Sequence, residues 1–579
     1  MMNAKNRAVK WAVAACVGLA GAAGAVDISL SAVDGYWDEP TAWVGGVVPT
    51  SNDVAIVEGS GYRRVYITNG VAAAASWLYL AKSSAPRRGY CVMTGGSLTL
   101  TNYLLVATSA ASTGNFTLVN GTVNIANGRV GQSGTGTVTQ TGGTLSSPYW
   151  MVGQNNGGKG VQIQSGGVAT LSTGNALTLG YAAGASGVYM LSDSGVADVF
   201  TALVGRYGQG RLEQSGGTFN AGTVNLGVYT NSVGTYLMSG GTFNASNSLS
   251  VGVAGSGIVT QFIGAVNATN LYLPNGAGTG TYVLVGGTLS CNGQNIGNAS
   301  GSKGTFVQNG GTNFCSNANY LSVGLVNNAS GTYEMNGGEI QSSLFLLAGN
   351  TDQTNSTGVM TLTGGAITVA SEMRVGSYGS GTLLQSGGTV KCPGSLYVGM
   401  RAGSKGLYLQ TGGEAWLNAV IVGNATGTFS NRYVIAGGTA TMTNLSVTIG
   451  SGREGTFGVV GTNAAVTVVQ QLYIAAGGAY EVTLTPGGFS APAAGTLSLS
   501  TESRLRVKFS GLLPYAMDNA EIPILTFGSR NENTFKTVTV DTGAEFGELK
   551  SAEVVYYADR IALKVRVSRP PYGTVITIQ

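Results

Sequence analysis

A double glycine, or a degenerate form of it, returns along this chain at a nearly fixed interval, and that period limits the fold more than any other feature. Its second position falls at Gly96, Gly121, Gly143, Gly167, Gly195, Gly217 and Gly241. It continues through Ala265, Gly287, Gly311, Gly338, Gly365, Gly388, Gly413, Gly438 and Gly461. The mean spacing is about 24 residues, the length of one solenoid coil and too short for a separate domain. Gly-Thr precedes many marks by six or seven residues, as at Gly136-Thr137, Gly234-Thr235, Gly280-Thr281 and Gly331-Thr332. An apolar pair capped by Gly closes many units, as at Trp150/Val152 before Gly153, Leu249/Val251 before Gly252 and Leu396/Val398 before Gly399.

Each unit holds two or three short strands of period two, joined at corners where glycine admits the needed backbone angles. One such unit cannot bury its apolar face alone, whereas stacked copies bury a continuous core. The expected fold is therefore all-β: a parallel β-helix, or β-solenoid, of about sixteen coils with an N-terminal cap and a small C-terminal β domain. The expected division is 1–25 a signal peptide, 26–90 a cap with the first irregular coils, 91–481 the repeats, and 482–579 a β-sandwich-like cap. That last segment gains charge and contains RLRVKF, IPILTF, KTVTV and IALKVRV, which alternate like half-buried strands.

The leader reading rests on Lys5, Arg7 and Lys10 before the apolar run Trp11 to Ala20, with Ala23-Gly24-Ala25 as the small residues before a cut at Val26. No later stretch has the roughly 20 apolar residues of a membrane helix, so an exported, extracellular or cell-surface protein without a transmembrane helix is expected. Removing those three basic residues from 29 leaves 26 against 25 acidic ones, a net charge of +1. That near-neutrality argues against nucleic acid as a partner, which demands a basic field. Arg63-Arg64 and Arg87-Arg88 read as solvated surface.

The strings QSGGT and QTGGT, with L-x-V-G closing the unit, resemble the Gly-rich repeats of secreted bacterial autotransporter-type passengers. They also resemble related solenoids that carry PEP-CTERM sorting tails. The opening YWDEPTAWVGGVVPTSNDVAIV, with Trp37, Trp43, Pro49 and Asp53, is similar to the first module of such proteins. The resemblance covers most of the chain after the leader and implies a surface solenoid. Two departures stand against it. The residues after Ser500 are too few for a membrane barrel, and the chain closes SRPPYGTVITIQ rather than with a Pro-Glu-Pro tail. Neither mode of attachment is carried over.

Solenoids of this kind include polysaccharide lyases and hydrolases, so catalytic groups are the next question. His is absent, which removes Ser-His-Asp and Cys-His nucleophiles. Between residues 59 and 480 the carboxylates are Asp193, Asp198, Glu213, Glu334, Glu339, Asp352, Glu372, Glu414 and Glu454. Glu213 and Glu334 share a repeat slot five coils apart, roughly 24 Å at strand spacing, beyond the separation a glycosidic pair needs. Glu334/Glu339 and Asp193/Asp198 each flank one turn and read mainly as solvated turn carboxylates. No catalytic, cofactor-binding or metal-ligating residue is assigned. Cys291, Cys315 and Cys392 each lie four residues after a second glycine, which stacks Cys291 on Cys315 as buried thiols or as a disulfide. Trp37 and Trp43 read as a buried pair sealing the first coil, with a sugar-stacking surface as the alternative.

One aromatic column is a candidate binding stripe: Tyr236, Tyr282, Tyr333, Tyr408 and Tyr433, with Phe306 in the same slot. Two positions on, Gln often stands, at Gln140, Gln164, Gln214, Gln308, Gln385 and Gln410. Facing outward, these would form a flat polar-aromatic surface for an extended glycan. The neighbouring slot, with Leu237, Val283, Val307, Leu384, Leu409 and Val434, competes for the core, and the sequence leaves the facing open. The expected function is a secreted or cell-surface structural or adhesive solenoid without catalytic activity, whose partners would be extracellular polysaccharide or surface components. The alternative is a carbohydrate-binding or polysaccharide-degrading β-helix.

Overall fold

A computed structural model describes residues 25–316, 320–349, 355–401, 403–423, 431–450, 453–511, 517–541 and 549–567. The leader therefore lies outside the described residues, except for Ala25. The chain winds into a β-solenoid of about 18 turns, about 85 Å of stacked strands at the usual spacing. Most turns contribute two strands to two parallel ladders, one of six-residue strands and one of longer strands that bend in the middle.

The two turns from Gln209 to Val251 show how sequence sets this path. In Gln209–Gln214 and its neighbour Val233–Met238, positions two, four and six are buried and the others face out. These strands pair in parallel, with Gly210 opposite Gly234, Leu212 opposite Tyr236 and Gln214 opposite Met238. Gly217, at φ 65°, turns the chain into the long strand Thr218–Leu226. That strand buries Phe219, Ala221, Val224 and Leu226, and its pairing slips at the bend between Ala221 and Thr223. Small residues at the bend let the two halves of the strand take different directions. Leu-x-Val-Gly then closes the turn.

Glycine in the second position of the short strand answers a different need. Gly234 carries no positive φ, yet a methyl there would stand on Val204 O and Gly227 N. Those two atoms form the hydrogen bond Gly227 N–H to Val204 O, 2.9 Å, which ties one turn to the next. The same crowding by backbone recurs at Gly160, Gly187, Gly280, Gly304 and Gly358. The recurrent Gly-Thr pair is thus a demand for space.

One boundary differs from the sequence expectation. At the N-terminal end the first strands, Asp27–Ser29 and Asp34–Tyr36, pair in parallel with Val54–Val57 and Arg63–Ile67, so coils already stand within the segment read as a cap with the first irregular coils. Trp37 and Trp43 are buried there edge to face at 5.3 Å, and Trp43 Nε1 donates to Trp37 O at 2.9 Å. At the other end the parallel stack runs past residue 482. Arg504–Phe509 pairs with Ala479–Leu484, and Thr537–Asp541 pairs with Arg504–Phe509. Among the described residues, Leu549–Tyr556 and Arg560–Val567 then turn antiparallel and close over Glu521–Arg530. Glu481, nearly buried, binds Arg432 at 2.6 Å and Lys508 at 2.9 Å across turns, so ion pairs tie the turns on both sides of residue 482 together. One mark also shifts: Gly264, at φ 91°, holds the turn slot, and Ala265 opens the next strand opposite Thr242 and Thr288.

Candidate functional site

The tyrosine column faces inward. Tyr236, Tyr282, Tyr333, Tyr408 and Tyr433 are all fully buried, which corrects the outward alternative and withdraws their rings from any ligand. Neighbouring rings stack down the axis, Tyr282 on Phe306 at 5.0 Å, Phe306 on Tyr333 at 4.6 Å and Tyr408 on Tyr433 at 4.4 Å. Burial pushes these phenols far above their ordinary range, so they stay protonated and act as donors. Leu237, Val283, Val307, Leu384 and Leu409 occupy the half-exposed outer positions instead.

Each of these hydroxyls meets a buried glutamine of the preceding turn. Tyr236 donates to Gln214 Oε1 at 2.7 Å, Tyr282 to Gln261 at 2.5 Å and Tyr333 to Gln308 at 2.6 Å. Tyr408 donates to Gln385 at 2.5 Å, Tyr433 to Gln410 at 3.1 Å and Tyr189 to Gln164 at 2.5 Å. The amide nitrogen serves two carbonyls: Gln214 Nε2 donates to Gly217 O at 3.2 Å and to Thr242 O at 2.9 Å. Where the sixth position is Leu or Met, the next turn carries no hydroxyl in the fourth: Leu284 is followed by Phe306, Leu191 by Leu212 and Met238 by Val259. Tyr480, in the turn after Val459, donates instead to Ile524 O at 2.6 Å. This pairing was present in the sequence as Gln followed about 23 residues later by Tyr. Gln261 and Tyr189 were missed because their marks are degenerate.

The carboxylates do not assemble. Glu213 and Glu334 face out on the short-strand ladder, five steps of register apart. Glu339 opens the long strand Glu339–Leu347, where Gln341 Nε2 donates to its carboxylate at 2.9 Å. Asp193 sits in a turn at φ 50° bonded by Ser192, whereas Asp198 accepts from Asn220 at 2.8 Å on the outer face of the long-strand ladder. Among the described residues no three of His, Cys, Asp and Glu are grouped.

Cys291 and Cys315 stand opposite each other in register as free thiols, with Cys315 Sγ 3.6 Å from Asn292 O. Burial pushes Cys315 and Cys392 up to about 11 and lifts Cys91 and Cys291 as well. At pH 8 a thiol at about 11 is thiolate in roughly one molecule per thousand, and thiolate is the reactive form. The folded protein is therefore expected to resist a chromogenic disulfide reagent at pH 8 and to react fully once unfolded in guanidinium. A rapid full equivalent from the folded protein would show that a thiol is reachable.

Outward positions of the bent strands form a shallow groove along the axis. One column runs Thr170, Asp198, Asn220, Asn244, Asn267 and Ser290, opposite one another in successive turns. It continues through Phe314, Gln341, Thr368, Lys391, Trp416 and Thr441. Concave pockets line this column in two stretches, one from Thr170 to Asn292 joined at Asn244 and one from Phe314 to Thr443 joined at Thr368. Asn220 Nδ2 donates to Asp198, Asn244 to Asn220 at 2.8 Å and Asn267 to Asn244 at 2.9 Å. Asp198 only accepts, so it orients the whole amide ladder. None of these groove residues was read as a ligand site from sequence; the signal was a polar residue three places after the second glycine, as in GGTFN.

A separate surface stack, Tyr207 on Tyr229 at 4.2 Å, has Arg206 over its rings. Compared with protein-family models, curated proteins and solved structures, the chain matches none. No described helix is long and apolar enough to cross a membrane.

Proposed function

We propose that this chain is a secreted or cell-surface structural and adhesive rod without catalytic activity. The observation carrying this reading is the core itself: one apolar column with stacked rings and Tyr–Gln bonds runs from turn to turn, so each coil stiffens the next. The repeat strings that resemble passenger-type solenoids support the surface setting, and the leader supports export. The polysaccharide-degrading alternative needs two carboxyl groups about 5 to 9.5 Å apart. Two carboxylates that line the groove, Asp198 and Glu339, belong to turns six register steps apart, roughly 29 Å.

The test is twofold. Intact cells producing the full chain are probed with antibody and added protease, and the purified chain is incubated with neutral and acidic polysaccharides while new reducing ends are measured. Surface labelling without new reducing ends is the expected outcome. Release of reducing ends would overturn the non-catalytic reading, and a chain shielded from antibody and protease until lysis would overturn the surface one.

A further inference from the structure

The groove has a chemistry of its own beyond that of a rod. Its column of outward residues runs through twelve turns from Thr170 to Thr441, about 53 Å at strand spacing, a length that suits an extended polymer better than a small molecule. Two turns span about 9.6 Å, on the scale of one disaccharide unit of a stretched glycan. In the amide ladder Asn220 and Asn244 each use one N–H and one lone pair on their neighbours and Asn267 one N–H, so each step keeps a further N–H and lone pair for a ligand. That alternation matches sugar hydroxyls, which both donate and accept.

Aromatic side chains stand where the fold does not use them. Phe200 is 59 % exposed, Phe314 41 % and Trp416 48 %, and all three line the groove. Such faces suit the C–H face of a pyranose ring, which is apolar. The turn of Phe314 lies five steps from that of Phe200 and four from that of Trp416, roughly 24 and 19 Å. Charge decides among polymers. Asp198, Glu339 and Glu414, which accepts from Trp416 Nε1 at 3.2 Å, outnumber Lys391 within the column and its rim, so a polyanion meets repulsion and a nucleic acid finds no basic track.

We infer that this groove binds an extended, uncharged polysaccharide laid parallel to the solenoid axis between Asp198 and Trp416. The inference adds a ligand to the proposed rod, and the two fail separately, because binding and bond cleavage are read by different assays. The experiment is native affinity electrophoresis of the full chain in gels containing glucomannan, hydroxyethylcellulose or polygalacturonate. Retardation by at least one neutral polymer and none by polygalacturonate is expected. Trp416→Ala and Phe314→Ala, both at exposed positions, should each weaken it about tenfold, and Tyr207→Ala, outside the groove, should leave it unchanged. Unretarded migration in both neutral gels, retardation only by polygalacturonate, or full retention by the Trp416→Ala/Phe314→Ala double variant would each overturn the inference.

Discussion

Gly234→Ala is expected to destabilise the solenoid by about 3–5 kcal/mol, more than any change in its surface loops. A methyl at this position stands on Val204 O and Gly227 N, the two ends of one inter-turn hydrogen bond. The strand must shift or that bond must open, which combines overpacking of about 1–3 kcal/mol with an unpaired backbone group of about 1–3 kcal/mol. Gly157→Ala is the matched control. Gly157 has φ 77° and open space around its missing side chain, so only the left-handed backbone opposes a methyl, at about 1–2 kcal/mol. Guanidinium unfolding read by circular dichroism compares the two, and hydrogen exchange on peptides spanning 204–238 locates the damage. In a linear stack each turn leans on its neighbours, so the faster exchange should centre on the turns of Val204 and Gly227. Equal midpoints for the two variants would mean that Gly234 is free to take a side chain.

The repeat was legible because glycine has two separable uses here, both periodic. At Gly217 and Gly388 it supplies positive φ for the corner. At Gly234 and Gly280 it clears space for the backbone of the turn before. Either use alone would mark the coil length. The limits of the stack were less legible, since a turn can be built without a double glycine: Arg504–Phe509 and Thr537–Asp541 pair in parallel with no such mark between them. Facing was the harder question. In a strand of period two, Tyr236 and Leu237 compete for the interior, and hydropathy favours Leu. The core took Tyr236 because Gln214 behind it offers the hydroxyl a buried acceptor. That acceptor sits 22 residues away, so a reading of one unit at a time does not see it. The groove was less legible still, because Asn220, Asn244 and Asn267 form a ladder only once their turns are stacked.

The Tyr–Gln bond makes the second large prediction, a coupling energy. Tyr236→Phe removes one donor to Gln214 and is expected to cost about 1–2 kcal/mol. Gln214→Leu is worse, at about 3–5 kcal/mol, because it leaves the Tyr236 hydroxyl without its acceptor and takes a donor from both Gly217 O and Thr242 O. The double variant Gln214→Leu/Tyr236→Phe should cost about 1–2 kcal/mol less than the sum of the two, since with Leu in place no hydroxyl is left to strand. The chain already contains that apolar solution, with Phe306 following Leu284 and Phe116 following Met93. It also contains the broken case. Gln140 is followed by Gln162 rather than Tyr, and the Oε1 atoms of both are buried without a partner. Gln162→Tyr should therefore stabilise the protein by about 1 kcal/mol, with its ring against Tyr189 of the next turn as Tyr408 lies against Tyr433. Guanidinium midpoints of the parent and the first three variants close the cycle, and that of Gln162→Tyr is read beside them. Strict additivity at Gln214 and Tyr236, together with a loss of stability at Gln162→Tyr, would show that the hydroxyl and the amide only happen to be neighbours.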